Sequence, residues 1–122
     1  MEPAARILIV EPDVRIREAL AECVRSMGLL VVTARDGIEA VAQLREGKPP
    51  AAVLLDMQLP MLNGNGVLHV MRGDPRMAAV PVIALTQAGE SPLLPVSDQL
   101  RKPFDLDEIA KRLARLQRAA AA

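Results

Sequence analysis

Short stretches with no polar residue constrain this chain most. AAVLL at 51–55 is apolar throughout, as are ILIV at 7–10 and VPVIAL at 80–85. Runs of this length are too short for a buried helix, and a sheet wet on one face would alternate apolar with polar. A strand apolar at every position is covered on both faces, as in a parallel sheet between helices. Helical patterns separate the runs. Ile16, Ala19, Leu20, Cys23, Val24 and Met27 fall at i, i+3, i+4, i+7, i+8 and i+11, and Gly28 ends that stripe. A second helix opens at Asp36, with Glu39 three residues on as in a capping box, and stops at Gly47 and Pro49-Pro50.

The expected elements alternate along the whole chain. Strands are read at about Arg6–Val10, Leu30–Ala34, Ala51–Leu55 and Val80–Leu85, with a short one near Gln99–Arg101. A third helix is expected over about Gly66–Arg72, behind the turn-rich Asn63-Gly64-Asn65-Gly66. A C-terminal helix starts at Asp105, three residues before Glu108, with Ile109, Leu113 and Leu116 as its stripe and a fraying alanine tail. Strands alternating with helices imply a doubly wound α/β sandwich of three layers with right-handed crossovers. The 122 residues fit one domain, 1–122, with no linker or internal repeat.

Each strand of interest runs into one polar residue. RILIV meets Glu11, AAVLL meets Asp56, VPVIAL meets Thr86, and DQLR meets Lys102. In a parallel sheet these C-terminal ends share one edge, where open α/β sheets build their ligand sites. Two carboxylates, a hydroxyl and an amine would then converge there. That set suits a phosphorylatable carboxylate with a divalent cation.

Composition narrows the alternatives. Fifteen basic and fifteen acidic side chains cancel, and Phe104 is the one aromatic, so direct contact with nucleic acid is not expected. Cys23 stands alone, which rules out an internal disulfide and suits a small buried hydrophobe. No apolar run reaches membrane-spanning length and the N-terminus lacks a secretory pattern, so no membrane partner and a cytoplasmic setting are expected. His69, the only histidine, is expected on the exposed side of the third helix. A small flavodoxin-like cofactor binder or hydrolase would need a glycine-rich loop after the first strand, or a nucleophile elbow, and neither is present.

ILIVEPD, VLLDMQLPMLNG, VPVIALT and RKPF, in this order and spacing, resemble the receiver domains of two-component response regulators. The resemblance covers nearly the whole chain. It implies a five-stranded parallel sheet in the order 2-1-3-4-5 that takes a phosphoryl group from a histidine kinase or phosphotransfer protein and controls a downstream protein. It further implies that Asp56 is the phosphoacceptor, that Thr86 and Lys102 sense the phosphate, and that Lys102-Pro103 is a cis bond. Glu11, Asp56 and the backbone carbonyl of Gln58 would hold Mg²⁺. Such a domain is not a conventional enzyme; at most it catalyses its own phosphorylation and dephosphorylation.

Several residues depart from the family pattern. The second acid of the metal pocket is Pro12, and Asp13, one residue later, is either a substitute ligand or the cap of the first helix. Gln87 follows the threonine where a small residue is usual, and Gln99 takes the place of the switch aromatic. Thr86 to Lys102 is about six residues short, and Pro92 and Pro95 interrupt what remains, so the fourth crossover helix is expected to be shortened or absent. Leu93 and Leu94, between those prolines, either dock a partner or plug the space that helix leaves. These departures keep a second reading open: a pseudo-receiver that binds proteins without being phosphorylated.

Overall fold

The computed structural model describes residues 5–121. Five parallel strands, β1 (Arg6–Val10), β2 (Leu30–Ala34), β3 (Ala52–Asp56), β4 (Val82–Thr86) and β5 (Asp98–Arg101), form one sheet in the order β2-β1-β3-β4-β5. Three helices join successive strands, α1 (Val14–Ser26), α2 (Gly37–Arg45) and α3 (Gly64–Gly73), and α4 (Leu106–Ala121) follows β5. The expected doubly wound sandwich is therefore the fold.

Strand alternation splits the interior into two cores. Ile7, Ile9, Leu54, Ile83 and Leu85 face α1 and α4, where they meet Leu20, Val24, Ile109 and Leu113. Leu8, Val10, Val53, Leu55, Val82 and Ala84 face α2 and α3, against Leu44, Val67, Leu68 and Met71. β3 and β4 are buried at every position, which is why both are apolar up to their last residues, Asp56 and Thr86. Cys23 is half-buried against the α1/α4 core, and His69 is exposed.

Element ends follow local hydrogen bonding. β4 begins at Val82, two residues into its apolar run: the carbonyl of Pro81 accepts from Val53 N at 2.9 Å, but proline offers the ladder no N–H. α3 begins two residues earlier than the sequence suggested, because the Asn63 side chain caps it by accepting from Gly66 N at 2.9 Å. Asp36 caps α2 through Glu39 N at 2.7 Å. The alanine tail expected to fray is helical through Ala121, in line with alanine's high helix propensity.

No helix joins β4 to β5 among the described residues. Segment 87–97 crosses as turns and bends. Leu94 and Val96 pack against the α2/α3 core, whereas Leu93 is 81% exposed. One leucine therefore plugs the gap while its neighbour faces solvent. α3 holds the segment at two points. The Asn65 side chain accepts from Leu93 N at 2.9 Å, and Arg72 donates through Nε and Nη2 to the Pro95 carbonyl at 3.2 and 3.1 Å. Nη1 of Arg72 reaches the Ala78 and Val80 carbonyls, both at 3.0 Å.

Candidate functional site

The C-terminal edge of the sheet gathers the four polar residues. Glu11 follows β1, Asp56 closes β3, Thr86 closes β4 and Lys102 follows β5. Glu11, Asp56 and Thr86 are buried, the first fully. Backbone pairing sets the spacing: Glu11 N donates to Ala34 O at 3.0 Å, and Lys102 N donates to Thr86 O at 2.7 Å. The Lys102-Pro103 bond is cis.

Lys102 joins the two carboxylates. Its Nζ lies 2.5 Å from Asp56 Oδ2 and 3.0 and 3.2 Å from the Glu11 oxygens. The other Asp56 oxygen accepts from Gln58 N at 2.8 Å, and Glu11 Oε1 accepts from Asp13 N at 3.2 Å. Two carboxyl groups and one ammonium thus share a largely buried recess. Burial pushes the Glu11 carboxyl up, the neighbouring Asp56 adds to that, and Lys102 opposes it, leaving Glu11 at about 7 instead of 4.5. Burial alone would lower Lys102, but its bonds to Asp56 and Glu11 outweigh that and hold it above the usual lysine value.

The remaining candidates lie close by in different roles. Asp13 caps α1, its Oδ1 accepting from Arg15 N at 2.8 Å and Ile16 N at 3.2 Å, so its carboxylate serves the helix while its N–H holds Glu11. Gln58 is exposed at the rim, as are Pro12 and Gln87. Gln99 is exposed on the edge strand. Arg17, which the sequence reading did not single out, donates from Nη1 to the Glu11 and Pro12 carbonyls at 2.9 and 3.4 Å and so pins the β1–α1 loop. Its place on a polar helix face resembles any solvated arginine, and no sequence signal marks it.

As a Mg²⁺ site this donor set is incomplete. Mg²⁺ asks for hard oxygen ligands in near-octahedral array. Position 12 has no donor side chain, Asp13 is committed to its helix, and the Lys102 ammonium spans the two carboxylates that remain. Among the described residues no group of three or more acidic, histidine or cysteine side chains is placed to hold a metal. The donors left to the ion are Glu11, Asp56 and the backbone carbonyl of Gln58, a smaller set than two adjacent acids after β1 would give.

A DNA-binding response regulator, MtrA, from Mycobacterium tuberculosis is 34% identical over 120 residues, covering 93% of this chain and 51% of MtrA. A CpxR homolog from Haemophilus influenzae, a transcriptional regulatory protein, is 33% identical over 96% of this chain and 52% of its own length. The chain spans about half the length of the curated relatives it matches. Among solved structures, the receiver domain of sensor histidine kinase PA1611 from Pseudomonas aeruginosa superposes with a TM-score of 0.85 at 29% identity, over 93% of this chain and 98% of that one. That protein has a magnesium ion coordinated in its active-site cleft.

These relatives correct one expectation. Nucleic acid was excluded from the partners on the charge balance of 122 residues, yet matched relatives are DNA-binding regulators about twice as long. A charge balance taken over half of such a protein carries no information about the other half. Among the described residues no helix is long and apolar enough to cross a membrane. The family model for the response regulator receiver domain matches residues 7–114, and with the 2-1-3-4-5 sheet beneath the Glu11–Asp56–Lys102 cluster, this chain belongs to that regulatory family of two-component signalling.

Proposed function

We propose that this receiver accepts a phosphoryl group on Asp56 from the phosphohistidine of a histidine kinase or phosphotransfer protein. The observation that carries the reading is the Lys102 ammonium, seated between Asp56 and Glu11 in a recess where both carboxylates are buried. Phosphoryl transfer asks for positioning and charge neutralisation more than for covalent help. A carboxylate oxygen of Asp56 attacks phosphorus, the bond from phosphorus to the donor nitrogen breaks, and that nitrogen keeps the electron pair. Lys102 then exchanges a carboxylate partner for a phosphoryl oxygen, and the Thr86 hydroxyl donates to another. Autodephosphorylation would be the reverse demand on the same residues, with water as acceptor.

Magnesium binds weakly in this reading, because Pro12 removes an oxygen donor that the magnesium-bound relative's family supplies. A reducing cytoplasm suits the lone thiol of Cys23. The output follows the matched relatives, in which a receiver belongs to a longer DNA-binding regulator; control of DNA binding elsewhere in the protein is the corresponding proposal here.

Incubation with acetyl phosphate, with and without Mg²⁺, tests the reading by intact mass and peptide mapping. Phosphate mass on Asp56, absent in Asp56→Asn, is the expected result. The missing helix between β4 and β5 favours the pseudo-receiver reading as the second choice. No label under any condition, together with partner binding unchanged in Asp56→Ala, would establish that second reading and reject the first.

A further inference from the structure

The first turn after β4 carries a contact that the proposed chemistry does not use. Gln87 N donates to Glu90 Oε1 at 3.0 Å, and Glu90 N donates back to Gln87 O at 3.1 Å. Gly89, at φ +81°, takes the left-handed conformation that closes this turn without a Cβ penalty. Glu90 is half-buried, and its carboxylate pairs with no cation among the described residues. A charged oxygen on a backbone amide makes one of the stronger hydrogen bonds.

Strand geometry aims that amide at the phosphoacceptor. Leu85 O accepts from Met57 N on the β3 side at 3.0 Å, and Thr86 O accepts from Lys102 N on the β5 side at 2.7 Å. Successive peptide groups of a strand alternate in this way, so the amide of Gln87 turns back toward β3, which ends at Asp56. Met57 O, the acceptor that a longer ladder would offer it, is held by Gly64 N at 3.1 Å. A phosphoryl group on Asp56 presents three terminal oxygens. Lys102 and Thr86 serve two of them in the proposed chemistry, and the amide beside Thr86 suits the third.

We infer that Glu90 is an internal competitor of the phosphoryl group. Its carboxylate holds the Gln87 amide in the unphosphorylated receiver and gives it up when Asp56 is phosphorylated. Two consequences follow from that exchange. A carboxylate without a counter-ion at the rim opposes an incoming anionic group, so Glu90 slows phosphorylation. Its release also frees residues 88–92, as far as the anchor that Asn65 makes on Leu93 N, so this turn reports the state of Asp56. The inference rests on Asp56 being the phosphoacceptor.

Labelling of the full chain by acetyl phosphate with Mg²⁺, followed by intact mass, tests it on wild type, Glu90→Gln and Glu90→Ala. An Asp56 oxygen bonds to phosphorus while acetate leaves with the electron pair. The initial rate should rise about fivefold in Glu90→Ala and about twofold in Glu90→Gln, which keeps an oxygen for the amide but not its charge. Amide NMR adds a readout that a purely structural role would not move. On labelling, Gln87 and residues 88–92 should shift together in the wild type, and in unlabelled Glu90→Ala residues 88–92 should already lie near those labelled positions. Should Glu90→Ala fail to fold, the isosteric Glu90→Gln decides the rate comparison. Equal rates in the variants and wild type, or slower ones in the variants, would overturn the competitor and leave Asp56 as acceptor. No label in any of the proteins would remove both.

Discussion

Glu11→Gln isolates the electrostatic cost of the buried recess. Glu11 is fully buried and faces a second carboxylate, Asp56, and these raise its carboxyl from 4.5 to about 7 against the opposing pull of Lys102 Nζ. Below pH 4.5 the group is protonated whether the chain is folded or not, and its contribution to stability is complete. Between 4.5 and 7 the unfolded chain releases the proton while the folded one keeps it, so stability falls as pH rises. Above about 7 both states are ionised and the loss levels off. At 1.36 kcal/mol per pH unit that span is worth about 3 kcal/mol, and coupling to Asp56 and Lys102 makes about 2 kcal/mol a safer expectation. Glutamine keeps the shape and an oxygen for Lys102 but cannot titrate. Any constant change in hydrogen bonding shifts its whole curve without altering the slope. Urea unfolding of both proteins at pH 4.5, 5.5, 6.5 and 7.5 should show the wild type losing about 2 kcal/mol relative to Glu11→Gln across the series. Parallel curves, or a wild type that gains on the variant as pH rises, would refute the reasoning.

Other perturbations probe the scaffold. A Cβ at Gly37 would sit 1.8 Å from the Leu62 carbonyl oxygen, so Gly37→Ala should cost about 3 kcal/mol or displace the β3–α3 loop, read as a fall in Tm and altered amide shifts at 60–64. Leu94→Ala should cost about 1–2 kcal/mol in urea unfolding because it uncovers the α2/α3 core, while Leu93→Ala, at an 81% exposed site, should stay within about 0.5 kcal/mol of wild type. Asp13→Ala should lower stability by about 1 kcal/mol through the lost cap of α1, and calorimetric Mg²⁺ titration should give the same affinity before and after.

The segment between β4 and β5 shows how a family scaffold absorbs a deletion. The crossover must still cover the α2/α3 core, and Leu94 and Val96 do so without helical periodicity. Backbone groups of the segment lack an intrahelical partner, so α3 supplies side chains instead: Asn65 for Leu93 N, Arg72 for Pro95 O. The shortened spacing made the loss of the helix readable in advance. The replacement contacts were not, because asparagine and arginine on a helix surface look alike whether they face water or another segment.

Strand and helix placement came from information local in sequence. Apolar runs covered on both faces, 3.6-residue stripes and the breakers between them specify the alternation, and strand ends put Glu11, Asp56, Thr86 and Lys102 on one edge. What those residues do to one another depends on segments 46 and 91 positions apart meeting through space. Only the tertiary structure decided that one ammonium would grip both carboxylates, that Asp13 would serve its helix, and that Arg17 would pin the loop beneath them. Side-chain pairing across a sheet edge is set by strand register and packing from both layers, and neither leaves a periodic trace in the chain.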